Sequence, residues 1–316
     1  MRIVRMHSAA LLAAIVGGAW GCGSGAESDP SFDLRGQELA SANGMSSNGL
    51  SSNGLSSNGM SSNGLSSNGL SSNGLSSNGL SSNGLSSLSF ANWWASQTES
   101  YAAMVMRYVV KCAYSPSQTL SYTAPSGTAY AWQGNLGIAP TWASGQPIPA
   151  IEKQLMTACL AAHANKFGIV LGISVLGLDA AGTPLPQAAN ELSTYSVAEG
   201  AFFGNLYDAA GIYACSDTLL PDNKSSARAC AFNNQQSSGT ASPCPEITFV
   251  GSCSTYCKKS PTNSPYWTSC TYKNVAYRPL TTHIPSSDVF VCGDGVCQVS
   301  ESPGKGLTFN SCKDCL

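Results

Sequence analysis

The pattern of apolar and polar positions changes period several times along the chain. Trp94, Thr98, Tyr101, Val105, Tyr108 and Cys112 recur at spacings of four and three, the repeat of one helix face. Ser89 or Asn92 is suited to cap this helix, which is expected to end near Cys112. Between Gln118 and Trp132 the period falls to two. Leu120 and Tyr122 precede the turn Pro125-Ser126-Gly127, and Tyr130 and Trp132 follow it, which predicts a β-hairpin. A second helix is predicted from Pro149, a residue suited to a first turn, through Ile151, Leu155, Cys159 and Ala162 on one face, to a stop at Gly168. The apolar, β-branched run Ile169 to Leu178 predicts a buried strand. From Cys215 onward the helical period is lost, and Pro, Ser, Asn and Thr separate closely spaced cysteines. The expected class is α+β: a single disulfide-rich globular head over residues 88–291 with two main helices and short strands.

Ahead of this head the pattern becomes strictly periodic. From Asn43 to Ser87 the chain reads Asn-Gly-(Leu or Met)-Ser-Ser nine times, with Met45 and Met60 the only variations. Asn-Gly favours tight turns, and Ser with Gly keeps a chain flexible, so the first expectation is a solvated spacer over 43–87. A short β-solenoid is the second, because one apolar residue in every five could face inward, although so few coils bury little. A self-associating adhesive tract is the third.

Arg2, Arg5 and His7 precede an apolar run of 12 residues, Ala9 to Trp20, and then Gly21-Cys22. The run is too short to span a bilayer as a helix and reads as a signal peptide over 1–21. A cysteine directly after a small residue at such a boundary resembles the bacterial lipobox. The resemblance implies that Cys22 is lipidated and becomes the new N-terminus, followed by a tether over 22–42. The implied partner is a membrane, reached through the lipid anchor, and the implied location is the cell outer membrane or cell surface.

Composition supports an exported chain. Only 10% of residues are Asp, Glu, Lys or Arg, against about 25% in an ordinary globular protein. No basic stripe occurs, so nucleic acid is not expected as a partner. Setting Cys22 aside leaves an even set of twelve cysteines: Cys112, Cys159, Cys215, Cys230, Cys244, Cys253, Cys257, Cys270, Cys292, Cys297, Cys312 and Cys315. An even count in an exported chain reads as a disulfide framework, whose connectivity the sequence leaves open.

Two blocks carry family resemblances. Glu199-Gly-Ala-Phe-Phe-Gly-Asn-Leu206, downstream of Met156-Thr-Ala-Cys-Leu160 and Asn165, resembles a group of uncharacterised lipoproteins typical of myxobacteria. That likeness implies an exported surface protein with no established activity. The C-terminus, Cys292-Gly-Asp-Gly-Val-Cys297 with Glu301 and Cys312-Lys-Asp-Cys315, resembles a cysteine-rich module appended to secreted bacterial proteins, here over 292–316. Its cysteine spacing also fits zinc, but the exported setting favours two disulfides. Asp294, Glu301 and Asp314 would be drawn together by those staples, and such oxygen ligands suit Ca²⁺.

Candidate chemistry is sparse, and no catalytic residues are assigned. His163 and His283 are the histidines of the mature chain. Gly172-Ile-Ser174-Val-Leu-Gly177 is one residue too long for a nucleophile elbow, and no metalloprotease, P-loop or dinucleotide motif occurs. Glu199, Phe202, Phe203 and Asn205 are the candidate ligand groove, with a carboxylate and an amide at the rim of two aromatic rings. Trp132, Trp142 and Trp267 are candidates for stacking on sugars. The expectation is a cell-envelope lipoprotein with a structural or binding role toward an envelope or extracellular ligand. The alternatives are a secreted hydrolase and a carbohydrate- or peptide-binding protein.

Overall fold

A computed structural model of the chain describes residues 40–43, 74–164, 171–208, 210–217, 224–226, 247–286 and 289–291. They all lie in one compact unit, Gln37–Leu316. Cys22, the signal peptide, the pentads before Gly74, six of the cysteines (Cys230, Cys244, Cys292, Cys297, Cys312 and Cys315) and the calcium candidates Asp294, Glu301 and Asp314 fall outside the described residues. No described helix is long and apolar enough to cross a membrane.

The described chain opens with strand β1 (Ala40–Asn43) and resumes in two short helical turns, α1 (Leu75–Asn78) and α2 (Ser82–Leu85), which lead into α3 (Leu88–Ala95) and α4 (Glu99–Ala113). The hairpin β2 (Thr119–Thr123) and β3 (Ala129–Gln133) follows in the expected register, with Leu120 opposite Trp132 and Tyr122 opposite Tyr130. Next come α5 (Pro140–Ala143), α6 (Ala150–His163), β4 (Leu171–Gly177), α7 (Glu191–Thr194), β5 (Val197–Asn205), β6 (Gly211–Ser216) and β7 (Lys224–Ser226). The remainder is β8 (Ile247–Ser252), α8 (Cys253–Tyr256), β9 (Cys257–Lys258), β10 (Ser269–Tyr272), β11 (Val275–Tyr277), β12 (Leu280–Ile284) and β13 (Val289–Val291).

The first predicted helix is two helices. Ser96 caps the end of α3, with its hydroxyl donating to the Trp93 carbonyl at 2.7 Å, and α4 restarts after Thr98 with Glu99 in its first turn. The cap of α3 is Ser87, whose hydroxyl accepts from the Phe90 amide at 3.2 Å, rather than Ser89 or Asn92. The Ser96 hydroxyl meets a carbonyl that the end of α3 leaves open, and a carboxylate in the first turn of α4 is favoured by the helix dipole. The second predicted helix is α6, with Pro149 at its N-cap but its end at His163, ahead of the expected stop at Gly168, and the predicted buried strand is β4.

A six-stranded sheet runs in the order β1-β4-β12-β5-β6-β8, antiparallel except for the parallel pair β6 and β8. One face carries Ile173, Val175, Phe202, Ile212, Leu280 and Ile284 and packs with helices α4 and α6 in the main core. A disulfide between Cys112 of α4 and Cys159 of α6 joins those helices. The other face carries Ala201, Phe203, Tyr213 and Cys215, covered by Cys253, Cys257, Trp267, Cys270 and Tyr277. There the bridges Cys215–Cys253 and Cys257–Cys270 are packed into a small second core, in place of the helices that cover the first face.

Candidate functional site: a groove that seats the repeats

The last pentads are part of the core. Leu75 and Leu80 are 0% exposed and Leu85 is 5% exposed, all within the main apolar cluster. Each buried leucine stabilises the fold by roughly 1.5–3 kcal/mol relative to leaving it in water. The head therefore does not begin at Leu88, and residues 74–87 are not a solvated spacer. They are not a β-solenoid either, because α1 and α2 are single helical turns. The expected tether over 22–42 is also cut short, since β1 pairs with β4 as an edge strand of the large sheet.

The seat is built from the segment between α4 and α6, chiefly Tyr114 and the stretch from α5 to Ile148. Trp142, fully buried in α5, donates from its indole Nε1 to the Leu75 carbonyl at 2.6 Å, and its own carbonyl accepts from the Leu80 amide at 2.9 Å. The Tyr114 hydroxyl donates to the Leu80 carbonyl at 2.5 Å, and the Ile148 amide donates to the Ser76 carbonyl at 3.0 Å. Burial pushes the Tyr114 hydroxyl above its ordinary pKa. Trp142 is itself held by Glu152 of α6. That buried carboxylate accepts from the Thr141 amide at 3.0 Å and the Trp142 amide at 2.9 Å.

Glycine in the pentad is required by the close approach. Gly79 has φ of 80°, and a Cβ there would lie 2.2 Å from the Gly145 carbonyl carbon. At Gly84 a Cβ would lie 2.0 Å from the Gly79 carbonyl oxygen, so two successive pentads contact each other through glycine. The seat thus reads three things: an apolar side chain every five residues, glycine before it, and main-chain carbonyls and amides.

The predicted ligand groove does not form. Glu199, Phe202, Phe203 and Asn205 all lie on β5 near the middle of the sheet, and all are buried. Alternation along the strand sends Phe202 into the main core and Phe203 into the second core, so the rings occupy opposite faces. Asn205 shapes a turn: its Oδ1 accepts from the Tyr207 and Asp208 amides at 3.1 and 3.3 Å, and its Nδ2 donates to Asp208 at 2.8 Å. The Lys153 ammonium, 2.8 Å from Asp208, holds that carboxyl below its ordinary pKa and ties the turn to α6. The three tryptophans proposed for sugar stacking are buried as well, at 5%, 0% and 9% exposed for Trp132, Trp142 and Trp267, so none presents a ring face to solvent.

The histidines occupy different faces. His163 ends α6 inside the main core, 0% exposed, with Nδ1 2.8 Å from the Cys159 carbonyl. His283 lies on β12 directly opposite Ser174 of β4. Its Nε2 is 3.1 Å from the Pro265 carbonyl, which can only accept, so Nε2 carries the proton and Nδ1 is bare in the neutral ring. Neither His283 Nδ1 nor Ser174 Oγ has a hydrogen-bonding partner among the described residues. Burial lowers the His283 pKa, while Asp217 and Glu199 pull it upward. Sequence spacing gave no hint of this pairing, which is set by strand register. Ser174 is 0% exposed in the middle of a strand, so its hydroxyl is not presented to a substrate.

The repeat-docking residues Leu75, Leu80, Tyr114 and Glu152 escaped sequence reasoning, which assigned the pentads to solvent by composition. The available signal was that the last five pentads all carry leucine and run without interruption into the first apolar helix. Comparison with known families agrees with that continuity. The GLTT repeat model, of six copies, matches residues 41–66 and 64–91, running past the last pentad into α3. These residues match a known repeat. No curated protein and no solved structure matches the chain.

Proposed function

We propose that this chain is an exported cell-envelope lipoprotein with a structural or binding role, like the myxobacterial lipoproteins it resembles. In this reading Cys22 is the membrane attachment and the disulfide-stapled head is the part displayed. The observation that carries it is the seating of pentads 74–87 inside the core. The head holds the repeat tract at both ends, through β1 on β4 and through the buried leucines of the last pentads, so the tract belongs to the displayed head rather than to the tether. The Cys112–Cys159 bridge ties together α4 and α6, two helices of the core in which those leucines lie. Three disulfides among the described residues support an oxidising compartment.

The test is a change at one atom. Serine at position 22 has no thiolate to accept an acyl chain, so Cys22→Ser is expected to leave the membrane fraction while the head stays folded. Retention of the variant in membranes after a high-salt wash would defeat the anchoring.

A further inference from the structure

Among the described residues, the bonds and close approaches by which the groove holds pentads 74–87 use features that every pentad carries. Its hydrogen bonds go to the carbonyls of Leu75, Ser76 and Leu80 and to the amide of Leu80. Its apolar sockets hold leucine, and its close approaches need glycine. Six further pentads precede Asn73 with the same Asn-Gly-(Leu or Met)-Ser-Ser order, carrying Met45, Leu50, Leu55, Met60, Leu65 and Leu70. Leucine and methionine exchange at small cost in a packed site. One chain therefore holds one groove and three times the number of pentads the groove seats.

We propose that the groove also takes upstream pentads from a second copy of the chain, so that copies join through their repeats. When the seated pentads leave, a partner's pentads remake every main-chain bond and refill every socket. The exchange then costs chiefly the entropy of bringing two chains together, as in domain swapping. Register is degenerate in steps of five, so several stretches of the partner are equivalent ligands. That multiplicity raises the effective concentration of pentads around each groove. The inference rests on the groove and not on acylation of Cys22, so it stands or falls separately from the membrane reading.

The test uses the full-length chain carrying Cys22→Ser, followed by sedimentation velocity over a range of micromolar concentrations. The chain is expected to self-associate with rising concentration. A variant with all six upstream apolar residues changed to Asn, keeping Leu75, Leu80 and Leu85, is expected to associate at least about tenfold more weakly, with its melting temperature as the folding control. In parallel, a synthetic peptide of three Asn-Gly-Leu-Ser-Ser units is added to the unmodified repeat chain. It is expected to dissolve the association, whereas the same peptide with alanine for glycine is not, because a Cβ at the Gly79 position meets Gly145. A chain that stays monomeric throughout, an upstream variant that associates equally well, or equal competition by both peptides would each overturn the proposal.

Discussion

The indole of Trp142 donates to the carbonyl of Leu75 at 2.6 Å, across 67 residues of sequence. Both groups are shut away from water, so the bond is the alternative to a buried, unsatisfied carbonyl. Trp142→Phe keeps most of the ring and removes the donor. It is expected to lower stability by about 1–3 kcal/mol, seen as a lower denaturant midpoint at unchanged slope. An unchanged midpoint would mean that the pentads are not held by this bond.

Gly79→Ala and Gly127→Ala separate two effects that glycine can serve. Both positions have positive φ, 80° and 89°, but a Cβ at Gly127 meets nothing within 4 Å. Gly127→Ala is expected to cost about 1–2 kcal/mol, the left-handed penalty alone. Gly79→Ala must also displace the Gly145 backbone and is expected to cost at least about 3 kcal/mol. Equal losses in urea titrations would show that the pentads do not pack against Gly145.

Removing the bridge between α4 and α6 frees a loop closed across 47 residues. The chain-entropy relation puts its contribution at about 4 kcal/mol. Cys112→Ala with Cys159→Ala is expected to lose an amount of that order by chemical denaturation, with the other bridges intact by mass spectrometry. A loss below about 1 kcal/mol would mean that the denatured chain is already restrained there.

His283 gives stability a defined pH dependence. Burial lowers its folded pKa below the ordinary 6.5, so the unfolded chain binds more protons between the two values. Its contribution is complete above 6.5 and is lost as pH falls through the folded value. The groups that face it are the Pro265 carbonyl, Asp217, Glu199 and Lys259. His283→Gln keeps a donor for Pro265 and cannot titrate. Its stability is expected to fall less than that of the parent between neutral pH and about pH 5, and parallel curves would exclude His283 as the source.

Elements made by local pattern were legible in the chain itself. The period of four and three around Val105 and Tyr108, the alternation from Leu120 to Trp132, and the Pro149 start of α6 each predict an element at its observed place. These follow from side-chain spacing within one helix or strand, which neighbours in sequence determine. The even set of cysteines likewise announced disulfides, three of which are seen, but not which cysteine meets which.

The sequence by itself determined α4, α6, the hairpin, the α+β class and the presence of a repeat with leucine or methionine every fifth residue. Only the tertiary structure decided where that repeat goes. Composition scores Asn, Gly and Ser as solvent, and nothing local says that Trp142, far along the chain, will close over Leu75. The same holds for β5, where Phe202 and Phe203 look like one aromatic patch in sequence and part to opposite faces because a strand alternates. It holds again for Ser174 and His283, which strand register places opposite each other across 109 residues of sequence. Neighbouring residues specify an element, whereas the partners of that element depend on which surfaces remain to be covered once the whole chain has collapsed.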